Sequence, residues 1–378
     1  MRGVTVNFDN AATSFPKPPA VREAVLYALD QCGGNPGRGG HSLSMCASEA
    51  VFAAREAIAA MFGGESENVV LTMNCTHALN LAIQGILHNG GHIIISDLEH
   101  NSVSRPVAAL ARAGRVSYSV AHVSANDAET VENFRKLMTP RTKAMAFTLA
   151  SNVTGQILPW KRLAALCAKA GICCIADGAQ ACGILPVSLS DGINILCTAG
   201  HKGLYGTTGT GFLLSDGRFW LPPLLQGGTG STSLELTQPE FLPDSLESGT
   251  VNTLGAMSLR AGIGFVQQIG LPRIHAYETA LCEQLLRGLR SMPNVTIYRQ
   301  PGASYAPIVS FVIAGMPPEK TAAALDRAGF CLRAGDHCAA LAHGGLGTKD
   351  GTVRFAPSVF NREAEVSALL AEIRRLAA

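Results

Sequence analysis

Two short stretches of this chain carry side chains suited to covalent chemistry. In RAGDHCAAL (Arg333 to Leu341), Cys338 directly follows His337 and stands five residues after Arg333. A cysteine that only packs needs no charged neighbours; one that reacts does so as thiolate, which nearby positive charge favours. In GHKGLYGTTGTG (Gly200 to Gly211), Lys202 is set among glycines and a tyrosine, in a loop that lets backbone approach something small. A desolvated lysine in such a setting loses its proton readily enough to form a Schiff base. Asp177, in ADGAQ, lies about 25 residues upstream. A lysine for an aldehyde and a carboxylate for a pyridinium nitrogen are the two groups that pyridoxal phosphate requires.

These residues need elements to position them. Apolar runs alternate with helical stretches: NVVLTM then THALNLAIQGIL, HIIIS then VSRPVAALARAG, AMAFTLA then WKRLAALCAKAG, and then ICCIAD. That alternation predicts βαβ units and an α/β fold with a mostly parallel sheet. Ligands of such a sheet gather beyond the carboxyl ends of its strands. The strand ends carry Asn74-Cys75-Thr76-His77, Glu99-His100-Asn101, Ser151-Asn152, Asp177 and His201-Lys202. Singly, each has an ordinary structural reading as a cap or loop residue; together they mark one site. From about Leu254 the texture changes to two long amphipathic helices (254–269 and 272–292), short strands such as VTIY and PIVSFVI, and a terminal helix over 361–378. The expected organisation is a large α/β domain over residues 1–256 and a smaller α+β domain over 257–378.

Composition narrows the class. Of 378 residues, 47% are apolar and 15% charged, which supports a substantial core and excludes disorder. The net charge of +2, with no basic cluster, argues against nucleic acid as a partner. The N-terminus MRGVTVNFDNAATSF has no apolar leader core and reads as mature protein. No apolar run reaches the ~18 residues of a membrane span. The eleven cysteines are odd in number, include the adjacent Cys173 and Cys174, and form no CxxC pair. That pattern predicts no disulfide framework and no zinc or other metal site, most thiols as small buried hydrophobes, and a reducing cytoplasm as the compartment.

The string ADGAQACGILPVSLSDGINILCTAGHKGLYGTTGTG resembles the cofactor region of fold-type I, class V aminotransferase-like enzymes. FDNAATSFPKP, NPGRGGHSLS, LEHNSVSRP, SNVTGQILP, ESGTVNT and RAGDHCA are similar, in the same order, to segments of cysteine desulfurases. The RxGxHC arrangement resembles group II, the Suf-type desulfurases and selenocysteine lyases. The resemblance implies a fold-type I pyridoxal phosphate-dependent transferase in which Lys202 holds the cofactor aldehyde and Asp177 pairs with the pyridine nitrogen. It further implies that Gln180 binds the ring hydroxyl, His100 stacks on the ring, Asn152 sits beside it, and Thr76 and His201 hold the phosphate. Thr250 would reach the phosphate of the other subunit of a homodimer. Arg354 would grip the substrate carboxylate, with Arg333 and His41 lining the same pocket. The family has a serine where this chain has Ala199, so one phosphate bond is missing unless Thr198 supplies it. The family commonly has a threonine at the position of Cys75, which reads as a small filler.

The implied reaction is removal of sulfur from L-cysteine, with Cys338 taking it as a persulfide and alanine released; Arg333, His337 and the cofactor are candidates for the favouring charge. L-selenocysteine is the alternative substrate, and a class V aminotransferase or another C–S lyase a further alternative, although neither needs Cys338. A catalytically silent scaffold would show a damaged cofactor set, and Lys202, Asp177, His100 and Arg354 are all present. A sulfur-acceptor protein is implied as partner, serving iron–sulfur cluster assembly, tRNA thiolation or selenium metabolism. Four glycines between residues 339 and 351 predict a mobile stretch beside the nucleophile, with His343 a loop histidine or a second acid–base group.

Overall fold

A computed structural model describes residues 5–37 and 39–378; Arg38, within NPGRGGHSLS, lies outside the described residues. Strand β1 (Val6–Asn7) and helices α1 (Pro19–Gln31) and α2 (Ser42–Phe62) open the chain. The alternating region runs β2 (Val69–Thr72), α3 (Cys75–Ile86), β3 (Gly91–Ser96), α4 (Asn101–Arg112), β4 (Val116–Ala121), α5 (Asp127–Lys136), β5 (Thr142–Thr148), α6 (Trp160–Ala170) and β6 (Cys173–Asp177). Strands β7 (Ile195–Ala199) and β8 (Gly211–Ser215) flank the Lys202 loop. Then come α7 (Thr253–Ile269), α8 (Leu271–Arg290), β9 (Val295–Ile297), β10 (Val309–Ile313), α9 (Pro318–Arg327) and β11 (Phe330–Cys331). β12 (Arg333–Gly335), α10 (Ala340–Leu346), β13 (Thr352–Phe355) and α11 (Glu363–Ala377) complete it.

Seven strands form the central sheet in the order β2-β8-β7-β6-β5-β3-β4, all parallel to their neighbours except β8, which is antiparallel to both β2 and β7. Every residue of β6, β7 and β8 is buried, which is why these strands read as unbroken apolar runs rather than alternating ones. Alternate positions serve opposite faces. Ile94, Met145, Phe147 and Leu196 feed one apolar layer; Ile93, Ile95, Ala146 and Ile175 feed the other. Register aligns the strand ends, Thr148 opposite Asp177 and Asp177 opposite Cys197.

A four-stranded antiparallel sheet, β12-β13-β10-β9, packs with α8 and α11 around Phe8, Leu285, Phe311, Phe355 and Leu369. Each such fully buried side chain contributes about 1.5–3 kcal/mol. Phe8 comes from the far N-terminus into this core, and β1 lies parallel against β11 in a separate two-stranded sheet, so the opening segment is bound to the C-terminal part of the chain. Among the described residues, no helix is long and apolar enough to cross a membrane.

The stretch after Cys338, expected to be mobile, holds a short helix: Ala340–Leu346 form α10, closed by Gly347 in the left-handed conformation and anchored by the buried Ala339 and Ala342. One expectation is corrected here. One cysteine pair is bridged, Cys32 at the end of α1 with Cys46 in α2, their Cα atoms 5.5 Å apart. The turn between the two helices brings the pair together over 14 residues, which spacing alone does not reveal. The other nine thiols are free, seven of them buried, and Cys338 is the exposed one among the described residues.

Candidate active site

The polar ends of β2, β3, β5, β6 and β7 converge on a cavity of about 220 Å³. Nine of the twelve sequence-predicted residues line it: Thr76, His100, Asn152, Asp177, Gln180, His201, Lys202, Arg333 and Arg354. Its lining carries three cationic side chains, Lys202, Arg333 and Arg354, against one carboxylate, Asp177. Asn74 caps α3 by accepting from the His77 N–H at 2.8 Å, so α3 points its N-terminus at the same cavity. Cations and a helix N-terminus together favour an anionic occupant.

Asp177 ends β6 nearly inaccessible to solvent, and its Oδ1 accepts from the Ala179 N–H at 2.9 Å and from the Cys75 thiol at 3.4 Å. Lys202 follows β7, and burial pushes its ammonium below the usual lysine range, opposed by the pull of Asp177. The peptide before it is tied down: the His201 carbonyl accepts from the Ser14 N–H at 3.0 Å and Lys17 Nζ at 2.9 Å. Burial, aided by Lys202 and Lys17, drives the His201 ring down to about 4, and its buried Nδ1 has no partner. His100 caps α4, its Nδ1 accepting from the Ser102 N–H at 3.0 Å, which places a ring proton on Nε2. Burial lowers this imidazole too, against an upward pull from Asp177. Gln180 directs its amide nitrogen to the Ala11 carbonyl, 3.0 Å away.

Arg354 is fully buried on β13, held by Asp9 Oδ1 at 2.9 Å and by the Asn152 carbonyl at 2.9 Å. Asn152 in turn donates from Nδ2 to the His337 carbonyl at 2.7 Å, leaving its buried Oδ1 without a partner. Cys338 is exposed and does not line the cavity, but its Sγ lies 3.6 Å from Nη2 of Arg333, which does. Both His337 and Cys338 have positive φ, 46° and 56°, a conformation that costs a non-glycine residue energy and marks constrained sites. The Cys338 carbonyl accepts from the Asn101 N–H at 2.7 Å, next to His100.

Three sequence-based readings change. The His337 ring is buried against the Thr352 carbonyl and hydroxyl, at 3.1 and 3.0 Å, and burial with Arg354 and Arg333 nearby drives it to about 2. It is neutral at any working pH, so the charge beside Cys338 is Arg333. His343 lies buried in α10, bound to Thr348 Oγ1 at 2.6 Å, and does not line the cavity. Thr198 neighbours Ala199 on β7, but successive strand residues face opposite ways, and Ala199 lines the cavity while Thr198 does not. Within one chain, His41 and Thr250 stand outside the cavity: His41 caps α2, and Thr250, expected to serve the other subunit, is exposed beside Asn35 at a separate cavity of about 280 Å³. Asp9, Lys17 and the Cys75–Asp177 contact escaped sequence reasoning, since Asp9 and Arg354 are 345 positions apart.

A family model described as aminotransferase class V matches residues 6–369. The chain belongs to the class V aminotransferase family. Among the relatives of this class V protein is a probable cysteine desulfurase of Methanothermobacter thermautotrophicus, 30% identical over 95% of the chain and 92% of that protein. Another, of Mycolicibacterium paratuberculosis, is 31% identical over 98% of the chain, which spans only 55% of that relative's length. In structure the class V chain is similar to a cysteine desulfurase from Thermococcus onnurineus, with a TM-score of 0.91, 31% identity and coverage of 99% of this chain and 94% of that one. A cysteine desulfurase from Escherichia coli superposes with a TM-score of 0.89 at 26% identity, covering 99% of this chain and 95% of that one.

Proposed function

We propose that this chain is a pyridoxal phosphate-dependent L-cysteine desulfurase that takes substrate sulfur onto Cys338 as a persulfide and releases L-alanine. The observation that carries the proposal is an exposed thiol 3.6 Å from an arginine that lines a cavity together with a desolvated lysine and a buried aspartate. The donor set suits this cofactor: cations and a helix N-terminus for a phosphate, one carboxylate for a ring nitrogen, and buried unpartnered atoms at His201 and Asn152.

When bound, the cofactor draws electrons from the substrate's α-carbon and makes its sulfur open to attack. Lys202 would hold the cofactor's aldehyde and, once displaced by the substrate amine, move the α-proton; its lowered basicity suits both tasks. Asp177 would keep the pyridine nitrogen protonated, His100 would cover the ring face, and Gln180 would meet the ring hydroxyl. Thr76, His201 and the free N–H groups opening α3 would bind the phosphate. Arg354, aimed by Asp9 and Asn152, would hold the substrate carboxylate, with Arg333 beside it. Cys338 attacks the substrate sulfur as thiolate. The Cβ–S bond breaks, its electron pair stays with the carbon fragment, and that fragment takes a proton and leaves as alanine.

His41 and Thr250 fit this scheme as residues given to a second subunit, so the proposal includes a homodimer with shared sites. The exposed Leu43, Met45, Phe52, Leu225 and Phe241 supply apolar surface for such an interface. The division at residue 256 and a sulfur-acceptor protein, serving iron–sulfur cluster assembly or another thiolation pathway, belong to the same reading. So does a reducing cytoplasm: nine thiols are free, though the Cys32–Cys46 bridge pulls the other way.

The test is alanine release from L-cysteine and from L-selenocysteine by the wild type and by Cys338→Ala, with a reductant present. Loss of cysteine turnover in the variant supports the desulfurase. Poor cysteine turnover in the wild type, with selenocysteine activity that survives the substitution, makes the enzyme a selenocysteine lyase instead.

A further inference from the structure

A second thiol stands inside the cavity. Cys75 opens α3 immediately after its cap, is 7% exposed, and places Sγ 3.4 Å from Asp177 Oδ1. The same oxygen accepts the Ala179 N–H at 2.9 Å, so Oδ1 has two donors and Oδ2 is left for the cavity. An apolar filler would fit the space and leave Oδ1 with one donor in a nearly dry site, a costly arrangement for a carboxylate. Burial and the adjacent Asp177 both push the Cys75 thiol well above the usual range, so the sulfur keeps its proton and donates it. Cys75 therefore does not compete with Cys338 for sulfur.

We propose that Cys75 is a positioning residue for Asp177: its S–H fixes the carboxylate with Oδ2 turned to the cofactor's ring nitrogen and sets how much negative charge Asp177 retains. This rests on the cofactor reading above. A thiol is a weaker donor than the hydroxyl of a threonine, so more of the Asp177 charge is left on Oδ2 here than a hydroxyl would leave. The consequence reaches Lys202. A stronger donor at position 75 would leave less negative charge on Oδ2 to offset that of a protonated ring nitrogen. With the cofactor bound, the nitrogen of Lys202 would then be poorer in charge and would lose its proton at lower pH.

The experiment uses the full-length protein reconstituted with pyridoxal phosphate, in wild type, Cys75→Thr, Cys75→Ser and Cys75→Val. Threonine and valine have nearly the same shape, so a packing role predicts equal behaviour for the two. The pH midpoint of the visible absorption band is expected to rank Val above wild type and wild type above Thr, with Ser on the Thr side. The Thr–Val difference is expected to be about half a pH unit or more. Valine is also expected to weaken pyridoxal phosphate binding about threefold, measured by fluorescence titration of the apoprotein, with Ser restoring it. Equal midpoints in all four proteins would overturn the proposal while leaving the cofactor reading intact. Absence of any visible band in the wild type would overturn both. Thermal melts of Thr and Val that agree with each other exclude misfolding as the cause of a difference.

Discussion

Arg333 and Cys338 meet at 3.6 Å, and removing either should change a different measurable quantity. Cys338→Ala is expected to lower alanine release from L-cysteine on the order of a hundredfold or more while the bound cofactor's visible band persists, since the role proposed for the lost group is that of nucleophile alone. Arg333→Met is expected to slow iodoacetamide labelling of Cys338 at neutral pH by about threefold or more, because the cation 3.6 Å from its sulfur is gone. His337→Asn, by contrast, should leave the labelling rate close to wild type, as the neutral ring faces Thr352. At this scale the sequence was informative wherever one residue's role shows in its immediate neighbours. Lys202 among glycines and Asp177 after an apolar run are legible in that way. Arg354's hold by Asp9 and the burial of His337 are not, because both depend on which distant strand lies alongside.

The strands and long helices were legible because their periods are local: unbroken apolar runs for β5, β6 and β7, amphipathic repeats for α7, α8 and α11. α10 was missed because its glycines read as flexibility, whereas two buried alanines decide its state. β8 was missed as an antiparallel strand since its pairing with β2 and β7 is set by the Lys202 loop and not by its own composition. That loop depends on a close approach from α7. A Cβ at Gly262 would collide with the Leu204 carbonyl, two residues past Lys202, and crowd the Gly206 nitrogen at 3.1 Å. Gly262→Ala should therefore destabilise the fold by about 1–3 kcal/mol and weaken cofactor retention, read by thermal melting and by dialysis of the holoenzyme.

Two buried carboxyls make the stability of the whole molecule depend on pH. Glu99 and Glu278 are raised from 4.5 to about 8, chiefly by burial. Between those values the folded protein keeps protons that the unfolded chain gives up. Their stabilising effect is therefore complete below about 4.5 and is lost as pH rises through about 8. Glu278→Gln should flatten the fall in melting temperature from pH 5 to pH 8, each such group accounting for at most about 1.4 kcal/mol per pH unit. Sedimentation should find the protein at twice the chain's mass, and Thr250→Ala should weaken pyridoxal phosphate binding despite the residue's place outside its own chain's cavity. The turn holding Cys338 has a further consequence for how the sulfur leaves. Its main chain is bonded at both carbonyls, to Asn152 and to Asn101, so backbone travel would disturb the groups around His100. Only the side chain is free to swing. On the proposed function, a persulfide at Cys338 would reach only one rotamer's arc, and any acceptor would have to bring its own thiol to that arc to collect the sulfur.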